Sequence, residues 1–223
     1  MSSKPSYVFR YFNLIGRAES SRLLLAAGNV DWVEEHPEWP QDKEKQPFGR
    51  LPVLIEKSTD GSELVLSESF TIERYLGRIF GLLPTDPKAS ALQEQISDRQ
   101  SDIIAACASL PKFTLEKDKE MCKAEIVDLL TRIVKSHMEI LSANSCKTHL
   151  FGDKLSYADI TLYAFYKIMG MYIECIWEGI SAIIKAKVTP EILSLLASIE
   201  AEPLLASHLS KCESLVTQLS QTV

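Results

Sequence analysis

Pro84 and Pro87, inside Leu82-Leu-Pro-Thr-Asp-Pro87, cut the chain into two stretches with different hydrophobic grammars. Before the break, short strand-like and helical pieces alternate. Ser6-Tyr-Val-Phe-Arg-Tyr-Phe12 is aromatic and β-branched, as strands prefer. Arg17 to Ala27 carries Ala18, Leu23, Leu24, Ala26 and Ala27 at helical spacing, and Gly28 is placed to end that helix in a left-handed conformation. Asp31 to Glu35 reads as a second strand. Leu51-Pro-Val-Leu-Ile55 and Leu64-Val-Leu66 flank Asp60-Gly61, the pattern of a hairpin. Ser67 to Gly81 is helical again, giving the order β-α-β-β-β-α with an irregular stretch before the third strand. After the break every long segment reads helical: about Ala89–Ser109, Asp118–Ser142, Ser156–Gly170, Pro190–Glu200 and Pro203–Leu219. The chain therefore divides into an α/β domain at 1–82, a linker at 83–90 and an all-helical domain at 91–223.

Charge and cysteine usage narrow the function classes. With 24 Lys+Arg against 30 Asp+Glu the chain is mildly acidic, which argues against a general affinity for nucleic acid. The start of the chain has no apolar signal-peptide core. The most apolar later stretch, about Ile160 to Ile176, contains Lys167 and Glu174, so no membrane association is expected. Five scattered cysteines without a CxxC suggest neither a disulfide framework nor a thiolate zinc site. His36, His137, His149 and His208 are equally isolated, so no metal is expected and a cytoplasmic location fits.

Four motifs then fall in order along the chain. They are Tyr11-Phe-Asn-Leu-Ile-Gly-Arg-Ala-Glu19; Trp39-Pro-Gln-Asp-Lys43 with Pro47-Phe-Gly-Arg-Leu-Pro-Val-Leu54; Leu66-Ser-Glu-Ser-Phe-Thr-Ile-Glu-Arg-Tyr-Leu76; and Gly152-Asp-Lys-Leu-Ser-Tyr-Ala-Asp-Ile160. Together they resemble the glutathione transferases, most closely the sigma class. The resemblance implies a thioredoxin-like N-terminal domain followed by an all-α domain that forms the electrophile pocket. It also implies glutathione as co-substrate, a small apolar electrophile as second substrate, and a homodimer.

The chemistry such a site needs is thiolate formation. A free thiol near pKa 8.5 is mostly protonated at neutral pH, and only the thiolate attacks well. By resemblance Tyr11, at the end of the first strand, donates a hydrogen bond to the glutathione sulfur, and Arg17 shapes the site beside it. Leu51, before a proline (Pro52) that the pattern makes cis, offers its backbone to the cysteinyl unit. Glu68 and Ser69 begin a helix whose free amides suit a carboxylate; by resemblance Ser69 takes the γ-glutamyl carboxylate and Glu68 the ammonium. Ser67 or Ser69 as a plain helix cap is the simpler reading, and both can hold at once. Trp39, Lys43 and Arg50 match positions that meet the glycyl end, with Lys45 a competitor for Lys43. Asp98 and Asp102 share a helix face, and Asp102 matches an aspartate that reaches a partner's glutathione. Phe48 resembles an aromatic key inserted into a partner subunit.

Leu14, Ile15, Cys107, Thr161 and Phe165 are pocket liners by position, and each fits an ordinary core equally well. Cys107 has no basic group paired with it and is not read as a nucleophile. Ser156-Tyr-Ala-Asp159 is a capping box whose role is folding. Glu68 stands where the vertebrate sigma pattern has glutamine, and Arg50 where it has lysine. The same thiolate could conjugate an electrophile, isomerise a peroxide or reduce one; the contrasting class is a ligand carrier that keeps the fold alone. A cysteine-based reductase is discounted, because no cysteine precedes Cys107.

Overall fold

The computed structural model describes residues 4–144, 148–175 and 177–212. It separates into two compact units: residues 1–83 with 203–223, and residues 84–202. The segment after Pro203, which the sequence groups with the helical half, thus groups with the α/β unit.

In the first unit, β1 (Ser6–Arg10), α1 (Glu19–Ala27), β2 (Trp32–Glu35), β3 (Val53–Lys57), β4 (Glu63–Ser67) and α2 (Ser69–Ile79) follow in order. The sheet runs β2-β1-β3-β4. β1 is parallel to β2, with Tyr7 opposite Trp32, and antiparallel to β3, with Val8 opposite Ile55. β3 and β4 form the hairpin. Its turn is closed by Gly61 at φ +88° and by the Asp60 carboxylate, which accepts from both the amide and the hydroxyl of Ser62. Alternation in β1 turns Tyr7 and Phe9 inward. The central strand β3 buries Val53, Leu54 and Ile55 in succession, whereas edge strands β2 and β4 leave Val33 and Val65 largely exposed.

Gly28 differs from the sequence expectation. Its φ of −69° is right-handed, and the left-handed residue is Asn29 at φ 51°. Glycine is required at 28 for space instead: a side-chain carbon there would lie 2.5 Å from the Phe80 ring.

The second unit contains α3 (Pro87–Ser109), α4 (Glu116–Ala143), α5 (Tyr157–Lys167), α6 (Ile180–Lys187) and α7 (Pro190–Glu200). Every residue of α5 from Tyr157 to Tyr166 is buried. A helix apolar all round belongs in the middle of its unit, which is why this stretch is the most apolar one in the second half. Its start is the expected capping box: Ser156 Oγ accepts from the Asp159 amide, and the Asp159 carboxylate accepts from the Ser156 amide and hydroxyl. α5 passes into a π-helical turn at Ile168–Tyr172. α6 went unassigned in the sequence; Gly179, left-handed at φ 89°, precedes it. Among the described residues no helix is long and apolar enough to cross a membrane. Of the expected last helix, residues 203–205 form a turn, 206–212 are helical, and 213–219 fall outside the described residues.

Candidate functional site

β1 delivers Tyr11 to the loop that leads into α1. The Tyr11 amide donates to Glu35 O at 3.1 Å, and its carbonyl meets His36 Nδ1 at 3.0 Å, so the backbone is pinned to the end of β2. The phenol oxygen accepts a hydrogen bond from the Arg17 amide at 3.1 Å. Tyr11 is 7% exposed, and its hydroxyl lies against Gly16, which adopts φ +48°. A carbon added at Gly16 would stand 2.6 Å from that oxygen and 2.7 Å from Leu14 Cδ1, so only glycine lets the loop approach this closely. Arg17 lies in a 3₁₀ turn, Gly16–Ala18, ahead of α1.

Arg22, one turn further on, was missed in the sequence. It is 3% exposed and its guanidinium donates to the carbonyls of Leu14 at 2.9 Å and Ile15 at 3.2 Å. The same group lies 5.7 Å from the centre of the Tyr11 ring and pairs with Glu34 at 2.7 Å. A buried cation satisfied by carbonyls and a carboxylate holds the whole 12–15 loop. The sequence did offer one sign of it: an arginine amid Ala18, Leu23, Leu25 and Ala26 on a helix otherwise buried.

Next to this loop a cleft of about 380 Å³ is lined by Phe12, Arg17, Trp39, Gly49, Arg50, Leu51, Pro52, Glu68 and Ser69. Seven of the sequence candidates therefore share one cleft, joined by Phe12 and Gly49, which the sequence did not single out. Phe12 stacks edge-on between Tyr11 and Trp39, at 5.3 and 5.5 Å between ring centres. Leu51-Pro52 is cis, as is Trp39-Pro40. Neither the amide nor the carbonyl of Leu51 pairs with another loop or turn among the described residues. Glu68 adopts φ +71°, uncommon for a non-glycine residue, at the cleft's edge. It is also the cap residue just before α2, and its side chain makes no capping bond; the cap position is therefore held by neither Ser67 nor Ser69, which corrects the reading of either as a plain cap.

The two loop lysines separate. Lys43 is exposed and packs along Gly49, where a side chain would meet its Cε at 3.4 Å. Lys45 donates to Asp42 at 2.6 Å, lowering that carboxyl, and lines a different hollow with Arg10 and His36.

Residues 7–78 match the glutathione S-transferase N-terminal domain family, and residues 101–212 match the glutathione S-transferase C-terminal domain family. Glutathione S-transferase 1 of Ascaris suum is 31% identical over 71% of this chain and 77% of its own length. The chain belongs to the glutathione S-transferase family. Members of this family use glutathione as co-substrate. A hematopoietic prostaglandin D synthase of Gallus gallus is 28% identical over 93% of this chain and 96% of its own. The crystal structure of a monomeric glutathione S-transferase from the hookworm Necator americanus superposes with TM-score 0.70. It is 25% identical and covers 92% of this chain and 97% of that one.

The electrophile-pocket candidates of this transferase fare differently from the cleft residues. Thr161 and Phe165 are fully buried in α5, where Thr161 Oγ1 donates to the Ala158 carbonyl. Cys107 is buried in α3, and burial pushes its thiol up to about 12. These three are core rather than pocket lining. All three sit at positions of helical periodicity, where sequence cannot separate a core face from a pocket face. Ile15 is buried, and Leu14 is half-buried against Gly16. Asp102 and Asp98 are exposed on α3, and Asp102 borders a hollow of about 620 Å³ with Phe113, Met121 and Leu129.

The expectation that histidines and cysteines stand isolated is also corrected. His208 and Cys212 meet Glu19 of α1 inside the first unit. Cys107, Cys122 and Cys212 are free thiols; Cys146 lies outside the described residues.

Proposed function

We propose that the cleft binds glutathione and that Tyr11 holds its sulfur as thiolate for attack on a small apolar electrophile, in the manner of a sigma-class, tyrosine-type transferase. The observation that carries this reading is the hydrogen bond from the Arg17 amide to the Tyr11 phenol oxygen. An oxygen that accepts there directs its own O–H elsewhere, and a phenol donating to sulfur favours thiolate over thiol. Each pKa unit so gained is about 1.4 kcal/mol of differential stabilisation.

The cleft residues suit the tripeptide by their chemistry. Leu51 would pair its unpartnered amide and carbonyl with the cysteinyl backbone as an added strand does. The uncapped start of α2, with Ser69, would take the γ-glutamyl carboxylate, and the Glu68 carboxylate its ammonium. Arg50 and Trp39 border the cleft and would meet the glycyl carboxylate, with Lys43, which packs along the cleft residue Gly49, as a further cation beside them. Glutathione supplies the nucleophilic sulfur; the chain supplies orientation and the donor that keeps it ionised.

A second activity, isomerisation by the same thiolate, draws support from the prostaglandin D synthase of Gallus gallus, which matches nearly the whole chain. A homodimer is the further part of this proposal. It rests on Phe48, 81% exposed at φ +55°, an aromatic side chain offered to solvent in the way a key awaits its lock; sizing the chain in solution reads it directly.

The decisive test compares wild type with Tyr11→Phe on a glutathione column and in conjugation of glutathione to an aryl halide. Both proteins are expected to be retained, with kcat of the variant down about tenfold or more. Retention with full turnover by Tyr11→Phe would remove Tyr11 from the chemistry. Retention of wild type without turnover on aryl halides, peroxides or isothiocyanates would favour a carrier.

A further inference from the structure

Away from the cleft, Glu19 near the start of α1 faces His208 and Cys212 of the helical segment 206–212. Glu19 Oε1 lies 3.0 Å from His208 Nε2 and 3.0 Å from Cys212 Sγ, and the last two atoms are 3.2 Å apart. The three side chains are 3%, 6% and 8% exposed. His208 and Cys212 are four residues apart on a helix, so they project from one face. We propose that Glu19, His208 and Cys212 bind a zinc-type divalent cation.

The geometry distinguishes this cluster from a nucleophile relay. In a relay the thiol and the acid engage opposite nitrogens of the imidazole. Here both approach the same Nε2, so three donor atoms converge on one point. A triangle of these sides has its corners about 1.8 Å from its centre, so an ion at the usual zinc distances of about 2.0–2.3 Å sits just off its plane. Carboxylate, imidazole and thiolate together are a donor set suited to zinc. The ion's fourth position would be open to water, because all three residues line a hollow of about 550 Å³.

The charges around the triangle leave room for a dication. Two cations line the same hollow: exposed Lys211, and Arg22, which lies 3.5 Å from Glu19 Oε2 but is already paired with Glu34 at 2.7 Å. The position of Arg22 draws Oε2 away from the triangle and leaves Oε1 facing the other two donors, which is what an outer partner does for a ligating carboxylate. The ring of Trp32 lies 5.9 Å from that of His208 and limits its rotation. A bound ion would fasten segment 206–212 to α1, one turn ahead of Arg22 and the loop it holds.

The test uses the full chain, stripped with a chelator and reduced with a phosphine, since thiol reductants compete for metal. Cobalt(II) is titrated in and then displaced with zinc. One equivalent per chain is expected, with a thiolate-to-cobalt charge-transfer band that zinc abolishes. Cys212→Ser should lose the band, and Cys212→Ser, His208→Gln and Glu19→Gln should each weaken zinc binding by about 100-fold or more. Cys107→Ser and Cys122→Ser should change neither. On wild type alone, zinc should shield Cys212 from alkylation more than any other cysteine and raise Tm. Absence of the band, its survival in Cys212→Ser, or equal alkylation of Cys212 with and without zinc would each leave the cluster a hydrogen-bonded contact and overturn the site.

Discussion

Gly16→Ala tests the loop that carries the proposed chemistry without replacing a reacting group. The backbone at Gly16 has φ +48°, and an alanine there costs about 1–2 kcal/mol for the left-handed conformation. The new methyl would also stand 2.6 Å from Tyr11 Oη, 2.7 Å from Leu14 Cδ1 and 3.0 Å from Tyr11 Cε1. Normal contact lies near 3.5–4.0 Å, so the phenol or the loop must give by about 1 Å, an overpacking cost of about 1–3 kcal/mol. The total of about 2–5 kcal/mol corresponds to a Tm lower by about 4–20 °C for a chain of this size. Gly61→Ala is the control, because Gly61 has φ +88° with nothing within 4 Å of the added carbon. It should pay the backbone cost alone and keep full activity. Moving the phenol by about 1 Å should cost Gly16→Ala on the order of 100-fold in turnover. In a double-mutant cycle, adding Tyr11→Phe removes the nearest contact and should recover about 0.5 kcal/mol or more of the Gly16→Ala penalty. Equal stability losses at Gly16 and Gly61, with activity intact in both, would show that the loop does not press on Tyr11 and would remove the physical basis for its positioning.

Two further outcomes follow from the helical unit. His137 is buried beside Tyr166 Oη at 3.2 Å, and burial holds its pKa down at about 4 against an ordinary value near 6.5. The unfolded chain takes up that proton first, so stability is full above pH ~6.5 and falls as pH drops towards 4, by about 3 kcal/mol in all; His137→Gln should flatten this part of a urea-midpoint-versus-pH curve, and an unchanged curve would show another group responsible. Asp159→Ala should cost about 3–5 kcal/mol in chemical denaturation against about 0.5–2 for Ser156→Ala, since the buried Asp159 carboxylate accepts from the amides of Leu150 and Ser156 as well as from the Ser156 hydroxyl; equal losses would mean the carboxylate does no more than cap.

Legibility in the sequence followed the range of the interactions. The β1–α1 unit, the Asp60-Gly61 hairpin and the Ser156/Asp159 cap are set by residues within a few positions of one another, and their elements were readable nearly to the residue. The cleft was readable for a different reason: Arg17, Trp39, Arg50, Leu51, Pro52, Glu68 and Ser69 lie in motifs whose order matched a family. What failed was long range. Thr161 and Phe165 are apolar-face positions on a helix buried on every side, so periodicity carries no information on which face meets a pocket. His208 and Cys212 looked isolated because their partner, Glu19, is almost the whole chain away. Gly28 was placed correctly at a helix end for the wrong reason, since the constraint on it comes from Phe80 rather than from its own φ.

These misses converge on α1. Glu19 and Arg22 are one turn apart on a helix whose nine residues are all buried, and neither charge could be kept there without partners. Arg22 takes its partners from the loop before α1 and from Glu34 on β2; Glu19 takes His208 and Cys212. Because Arg22 Nη1 lies 3.5 Å from Glu19 Oε2 and also donates to the carbonyls of Leu14 and Ile15, the two sets share one guanidinium. Those carbonyls flank Gly16, the residue against which the Tyr11 hydroxyl rests. An all-apolar α1 would bury as well and avoid the cost of desolvating two charges, but it would leave the 12–15 carbonyls unheld. The charged pair on α1 is therefore best understood as the fixture that positions the Tyr11 loop.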